Sequence, residues 1–495
     1  PSLSPDRSRQ MKREKSMSDT HDTGEVTGAG TARGVDGGDT VFFGHPKGLA
    51  YIVFTEAWER FSFYGMQALL ILYMATYLFL PENSGNVAAF EPFRGMFEAV
   101  FGPLSVQALA SQVFGAYVGL VYFAPVLGGL IGDRLLGRTK AVLLGALLMA
   151  LGHFLMAFEA SFLLALATLI LGSGLLKGNL AAQVGGLYDK SDKRRDSGYS
   201  IYVFSINVGA FIAPLVCGTL GEVYGWHYGF GAAGIGMMIG LAVYLSGLSY
   251  LPVDTVQKSE DRPRLQKGDG VVILSILLML ALTSLYWTAQ SQVWNAYPLW
   301  LRTDVDRNIF GLDVPVTWFQ SLDSLAVLLL APLVLWYWRS QSRRNAEPGD
   351  LVKLALGCAV FASAFVLLGF GDLMSGDGAV SLLWPTIFHF VCAIGFLYVG
   401  PIALALTSRA APESVNSMMV GSYYLAIFVG GLFSGWLARF YETMSASGFW
   451  LMHAAIVGAA AVLIIALRPA LSRAMRLEDP NPEPSDALSA EQESI

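Results

Sequence analysis

Charge is what this chain has least of. Lys, Arg, Asp and Glu together supply 14% of the 495 residues, against 54% hydrophobic residues. Soluble domains carry roughly 25% charged residues, so a bilayer rather than water is the expected solvent. Cysteine is rarer still: Cys217, Cys358 and Cys392 each sit inside an apolar run, with no CxxC or metal-ligand spacing. They read as small buried hydrophobes, not as disulfide or metal partners. Neither a phosphate-cradling Gly-Lys-Ser/Thr loop, nor zinc spacing, nor a nucleophile elbow is present, which argues against an ATP-driven pump and against an enzyme. No cofactor and no nucleic-acid partner is expected. The polar first 40 or so residues lack the apolar h-region of a signal peptide.

What the chain does have is a series of apolar runs near 20 residues long, each sufficient for a hydrocarbon core of roughly 30 Å. Twelve spans are predicted, near 47–80, 107–132, 138–158, 161–188, 198–222, 228–251, 270–299, 314–338, 350–371, 379–408, 415–441 and 447–470. Basic residues follow the even-numbered spans: Arg134, Arg138 and Lys140; Lys190, Lys193, Arg194 and Arg195; Lys258, Arg262, Arg264 and Lys267; Arg339, Arg343 and Arg344; Arg409; and Arg468, Arg473 and Arg476. The odd-numbered connections hold few, with Arg94, Arg302, Arg307 and Arg439 the exceptions. By the positive-inside rule both termini are expected in the cytoplasm. The predicted organisation is a disordered cytoplasmic tail (1–44), a six-helix bundle (45–251), a cytoplasmic linker (252–268), a second six-helix bundle (269–476) and a second tail (477–495). An all-α membrane protein of this layout resembles the major facilitator superfamily, where solute sits between two halves that rock against each other.

Within the first span lie Glu56, Glu59 and Arg60. A charge at that depth costs about 2.5–3.5 kcal/mol on insertion scales, so it must face a partner or a wet cavity. The spacing i, i+3, i+4 puts all three on one helical face, where they can pair. Such a face reads as a proton or solute path. Lys177, in the middle of span 4, is a further buried cation that needs a counter-charge.

Several motifs carry a closer resemblance. Glu56-x-x-Glu59-Arg60-Phe61-x-Phe63-Tyr64 is similar to the ExxERFxYY signature of the proton-coupled oligopeptide transporter family, with Phe63 in place of the first tyrosine. Val121-Tyr122-Phe123-Ala124-Pro125, Gly172-x-Gly174-x-x-Lys177-Gly178-Asn179, Phe204-Ser205-Ile206-Asn207-Val208-Gly209 and Trp318-Phe319-Gln320-Ser321-Leu322 agree with it. The run from Gly128 to Arg138 resembles the superfamily's loop 2–3 signature and implies a gating role for Asp133, Arg134 and Arg138. The family resemblance implies that Arg60, Lys177 and Tyr64 meet a peptide carboxylate, that Asn207 meets the ammonium end, and that Tyr122 also binds substrate. Glu56 and Glu59 would couple protons by releasing Lys177 or Arg60 when protonated, though a purely structural ion pair from Lys177 to either glutamate is an alternative.

The departures are specific. Where the family carries an arginine seven residues after the signature arginine, Gln67 stands; where its partner glutamate is expected on span 7, Ser291 stands between Trp287 and Gln292. Both members of an ion pair are absent together, which can be nearly neutral where losing one would strand a charge. On span 10 the expected Gly-Glu-Leu reads Gly395-Phe396-Leu397, while span 8 has gained Asp323 where Asn-Pro is usual. Asp323 is accordingly proposed for the ammonium contact or for protonation; a neutral acid hydrogen-bonded in a helix interface is the alternative. Phe396 then faces the substrate without a charge. Gly178 replaces the usual proline after Lys177, and the 252–268 linker has no room for the two extra helices common in bacterial members. His153 and His389, inside spans 3 and 10, are expected to be satisfied interhelical hydrogen-bond partners. The functional expectation is a proton-driven importer of di- or tripeptides or related zwitterions, residing in the cell membrane. A non-peptide carboxylate-bearing metabolite or N-modified peptide is the alternative cargo.

Overall fold

The computed structural model describes residues 42–189, 191–254, 265–376 and 378–477. The predicted tails (1–44 and 477–495), most of the linker, and Lys190, Lys258, Arg262 and Arg264 therefore lie almost wholly outside the described residues.

A bilayer demands helices because every backbone donor and acceptor must be satisfied inside the segment. Among the described residues twelve helices are long and apolar enough to cross one: Lys47–Leu78, Val106–Leu136, Arg138–Leu155, Glu159–Gly186, Arg194–Tyr224, Trp226–Ser246, Asp269–Asp304, Thr317–Ser342, Asp350–Ser375, Leu383–Ala410, Glu413–Glu442 and Ala446–Ala474. These are spans 1 to 12. Pro125, Pro332, Pro401 and Pro469 lie inside spans 2, 8, 10 and 12. All three cysteines are buried and unpaired.

Two elements between the spans were not anticipated. A helix at Phe90–Phe101 occupies the connection between spans 1 and 2. Its Phe93, Phe97 and Phe101 rings meet in series along one side, and Arg94 pairs with Glu98 at 2.9 Å on another, the i, i+4 arrangement that supports a short helix. A two-stranded hairpin, Asn308–Ile309 with Leu312–Asp313, lies between spans 7 and 8.

Spans 1 to 6 pack as one set (1 on 5 and 6, 2 on 4, 3 on 4 and 6) and spans 7 to 12 as another (7 on 11 and 12, 8 on 10, 9 on 10 and 12). The two sets meet mainly along spans 2 and 11 and along spans 5 and 8. Small residues make these seams possible, since lipid offers no hydrophobic drive between helices and backbones must approach closely. Gly115 on span 2 lies directly against the Gly431 backbone of span 11. Within the first set, a side chain at Gly128 would run into the Gly174 carbonyl of span 4, and Gly209 of span 5 lies against the backbone of span 1 beside Arg60. Span 1 is the hub: 78% of its most apolar window is buried, more than in any other span. Its charged face therefore points into protein, not lipid.

Cross-set hydrogen bonds gather at one face of the slab. Glu222 at the end of span 5 accepts from the Val316 and Thr317 amides and the Thr317 hydroxyl at 2.9, 2.8 and 2.7 Å. Trp318 Nε1 donates to Thr219 Oγ1 at 2.8 Å. Along the other seam Asn295 reaches the Ser111 carbonyl, Arg439 the Phe101 carbonyl, and Ser105 the Glu442 carboxylate. All belong to the end opposite the basic loops, so the two sets are latched there.

Candidate functional site

The site is built around span 1. One helical turn separates Glu56 from Arg60, and Arg60 Nε lies 2.6 Å from Glu56 Oε1 and 2.9 Å from Glu59 Oε2. Both glutamates are fully buried and Arg60 is 8% exposed. A single guanidinium thus holds two carboxylates away from water. Tyr202 of span 5 neighbours Glu56, and the Tyr64 and Tyr122 hydroxyls neighbour one another within electrostatic reach of both Arg60 and Asp323.

Lys177 enters this group from span 4. Spans 2 and 4 touch backbone to backbone at its level: Gly174 lies against Ala124, and a Cβ at Gly178 would sit 3.2 Å from the Pro125 carbonyl oxygen. The chain thus places its proline on span 2 and a glycine opposite it. That seam aims Lys177 at span 1. The structural ion pair considered from sequence is absent: Lys177 Nζ is buried without a hydrogen-bond partner among the described residues. It sits 3.5 Å above the centroid of the Phe63 ring and 5.5 Å from that of Tyr122. Phe63, the departure from the family signature, is the platform on which the ammonium rests. Such a contact is worth about 0.5–2 kcal/mol depending on desolvation. Phe63→Leu is therefore expected to lower stability by about 1–2 kcal/mol, while Phe63→Tyr, which keeps the ring, leaves it near wild type. Denaturation in detergent micelles measures this; equal midpoints for Phe63→Leu and wild type would remove the platform role.

The other wall comes from spans 7, 8, 10 and 11. Trp294 packs on Tyr64 at 5.4 Å, which is where spans 1 and 7 meet. Gln67 and Ser291 are both buried, and no ion pair joins these two spans among the described residues. Asp323 is half-buried with its side chain 21% exposed, and its Oδ1 lies 3.8 Å from His389 Nδ1. Phe396 and Tyr424 are half-buried. Asn207 of span 5 is also half-buried and donates to the Val203 carbonyl of its own helix at 3.0 Å.

The histidines inside spans 3 and 10 are not the satisfied partners expected from sequence. His153 and His389 are both 0% exposed, and neither ring nitrogen of either has a hydrogen-bond partner among the described residues. His153 lies beyond the site. His389 lies behind Asp323.

At the basic-loop face Asp133 pairs with Arg138 at 2.9 Å, while Arg134 is exposed. Gly137, at φ +80°, makes the turn between them, a conformation that costs glycine nothing. Asp254, beyond the end of span 6, accepts from the Thr139 amide and hydroxyl at the start of span 3, each at 3.1 Å. It thereby caps that helix from a distant part of the chain. No cluster of His, Cys, Asp and Glu able to hold a metal occurs among the described residues.

Twelve apolar helices in two face-to-face sets, with a buried charge cluster between them, define a secondary transporter of the major facilitator type. Comparison with known proteins narrows this. The model of the family described as PTR2, the POT family, matches residues 139–262 and 264–457, and the chain belongs to that family. It is 28% identical over 516 residues to the peptide transporter YePEPT of Yersinia enterocolitica subsp. palearctica, covering 89% of this chain and 97% of that one. It is 29% identical over 457 residues to a di-/tripeptide transporter of Lactococcus lactis subsp. cremoris, covering 78% and 88%. Among solved structures it is similar to a mutant of the peptide transporter POT in complex with alafosfalin, at TM-score 0.77 and 28% identity, covering 88% and 96%. The protein is thus an all-α, multi-pass membrane transporter, not an enzyme.

Proposed function

We propose that the protein imports di- and tripeptides, or small zwitterions like them, using the proton gradient and no cofactor. The observation that carries this reading is the charge arrangement around Arg60. Glu56, Glu59, Arg60 and Lys177 sum to zero when all are ionised. In a low-dielectric interior an unbalanced charge is expensive, so one added proton leaves a positive charge that a substrate carboxylate restores to neutrality. Proton and carboxylate therefore favour one another's binding. Across the site, Asp323 supplies the negative charge that a substrate ammonium would cancel, with Tyr64, Tyr122, Asn207 and Phe396 lining the space between.

In the proposed cycle protonation of Glu56 or Glu59 loosens its hold on Arg60 or its field at Lys177, and the freed cation takes the carboxylate. The halves 45–251 and 269–476 then rock, with Asp133, Arg134 and Arg138 gating the basic-loop face. That face is assigned to the cytoplasm of a cell membrane, together with both chain ends, from the distribution of Lys and Arg. One proton moving inward supplies roughly 2.3 kcal/mol per 100 mV, enough to concentrate a neutral solute about fifty-fold at about 1.4 kcal/mol per decade. Uptake of a dipeptide panel into liposomes, with and without an acid-outside gradient, tests this; accumulation that ignores the gradient would refute it.

Phe396, in place of an acid, favours a second cargo: a carboxylate-bearing metabolite or an N-modified peptide with no free ammonium. Asp323→Asn separates the readings. Under the first, the variant loses about tenfold or more in apparent affinity for free dipeptides, one charge-assisted contact being worth about 1.5–3 kcal/mol, and none for N-acetylated ones. Normal proton-driven dipeptide uptake by the variant would remove Asp323 from the site.

A further inference from the structure

His389 has no counterpart in the motifs that define the family resemblance, and its surroundings are unusual for a buried imidazole. It is wholly enclosed, with the Tyr297 ring edge-on at 5.2 Å and Phe388 at 5.4 Å. Neither ring nitrogen finds an acceptor or donor among the described residues, although leaving one buried polar group unmet costs about 1–3 kcal/mol. The charged group it faces is Asp323, across the packed pair of spans 8 and 10. From Thr317 to Asp323 and from Leu383 to His389 is six residues in each helix, about 9 Å of rise, so the two sit at one depth. At 3.8 Å the pair is a poised contact, about 1 Å longer than a charge-assisted hydrogen bond.

The geometry divides the two roles. The Asp323 side chain is 21% exposed and lies within electrostatic reach of Tyr64 and Tyr122 of the other half, while the imidazole is 0% exposed. The other titratable groups around Asp323 are Tyr64 of span 1, Tyr122 of span 2, Tyr286 and Tyr297 of span 7, and Cys392 of span 10. Phenols and thiols ordinarily stay neutral between pH 5 and 8; imidazole is the side chain that ordinarily changes charge there. Among the described residues no lysine or arginine pairs with Asp323 from these elements.

We propose that Asp323 and His389 form one exchange site in the C-terminal half, at which a proton on His389 and the ammonium group of a substrate exclude one another. The inference rests on the reading of Asp323 as the ammonium partner and extends it. With His389 neutral, the carboxylate carries an uncompensated negative charge toward the cavity and takes the ammonium. With His389 protonated, the imidazolium N–H closes on Asp323 Oδ1, draws the carboxylate back and cancels its charge. An incoming ammonium then finds no counter-ion until the proton leaves. The Glu56–Glu59–Arg60 group, where proton and carboxylate assist one another, thus has an opposite number in which proton and ammonium compete. This separates peptides with a free N-terminus from blocked ones by pH.

The test is calorimetric. The purified full chain is titrated with Ala-Ala and with N-acetyl-Ala-Ala near pH 6, each in two buffers of different ionisation enthalpy, which counts the protons exchanged on binding. Binding of Ala-Ala to wild type is expected to release up to about one proton more than binding to His389→Gln, by linkage of the two ligands. Relative to His389→Gln, the affinity of wild type for Ala-Ala falls as His389 takes up a proton, up to about tenfold per pH unit, on top of the dependence that Glu56 and Glu59 give to both proteins. N-acetyl-Ala-Ala shows neither difference, and its unchanged binding certifies that the variant is folded; His389→Asn replaces it if not. Equal proton counts in wild type and variant, with Asp323→Asn still defective toward Ala-Ala, would overturn the exchange site and leave the ammonium role standing. Asp323→Asn binding Ala-Ala as tightly as wild type would overturn both.

Discussion

Lys177→Gln is expected to lower gradient-driven dipeptide uptake by about 10- to 150-fold while leaving the protein close to wild type in stability. The first half follows from the role proposed for the ammonium: a charged hydrogen bond to a carboxylate is worth about 1.5–3 kcal/mol, at about 1.4 kcal/mol per decade. The second half follows from geometry. Lys177 Nζ is buried with no acceptor among the described residues, 3.5 Å above an aromatic face, and the ring returns at most about 2 kcal/mol of the desolvation cost. Replacing the ammonium by a neutral amide relieves that cost, and a proton taken up by Glu56 or Glu59 restores the neutrality that Lys177 had supplied. A residue that served structure alone would behave in the opposite way, since breaking a buried ion pair destabilises by about 3–5 kcal/mol. Uptake into liposomes and thermal unfolding in detergent decide the matter together. Normal uptake, or a marked fall in unfolding temperature, would sink the assignment.

How much of this was legible before the structure depended on whether the cause was local. Span ends follow from the thickness of a hydrocarbon layer, which acts on each segment separately, and the predicted 47–80 and 138–158 match Lys47–Leu78 and Arg138–Leu155 within three residues. The Arg60 pairing with Glu56 is set by helical spacing alone and could be read from position. The Phe90–Phe101 helix was also within reach, because its phenylalanines recur at helical intervals and Arg94 precedes Glu98 by four; a search for spanning segments passes over a helix of that length.

Contacts between spans were not legible. Nothing in the order of residues says that Phe63 lies beneath Lys177, 114 positions later, or that His389 backs onto Asp323. The sequence showed only that an acid had left span 10 and another had appeared on span 8. Its own logic for His153 and His389 failed for the same reason. A buried imidazole is normally satisfied, but the partner is chosen by which faces of two helices meet. The chain's departures from the family pattern, Phe63 and Asp323, proved to be where the structure had most to add.

Removing the Glu222 carboxylate is expected to open the face opposite the basic loops. Glu222 ends span 5 and accepts three hydrogen bonds from the first turn of span 8, at 2.7–2.9 Å. The amides at a helix start have no partner within the helix and carry the positive end of its dipole, so a carboxylate from the opposing half is a strong and directional latch. Gly218, one turn earlier, lets Thr317 approach the span 5 backbone. The latch can exist only while the two halves touch on this face, so it stabilises one end state of alternating access and not the other. Taking its net worth as about 2–3 kcal/mol, Glu222→Ala shifts the equilibrium about 30- to 150-fold toward the state open on that side. Spin labels at the ends of spans 5 and 8 report this directly: the distance distribution of Glu222→Ala moves to longer separations, and Glu222→Gln, whose amide oxygen retains part of the latch, falls between. Uptake falls in the same order because the return step must re-form the contact. Identical distance distributions in the three proteins would show that the halves are held by the neighbouring seam of spans 2 and 11 instead.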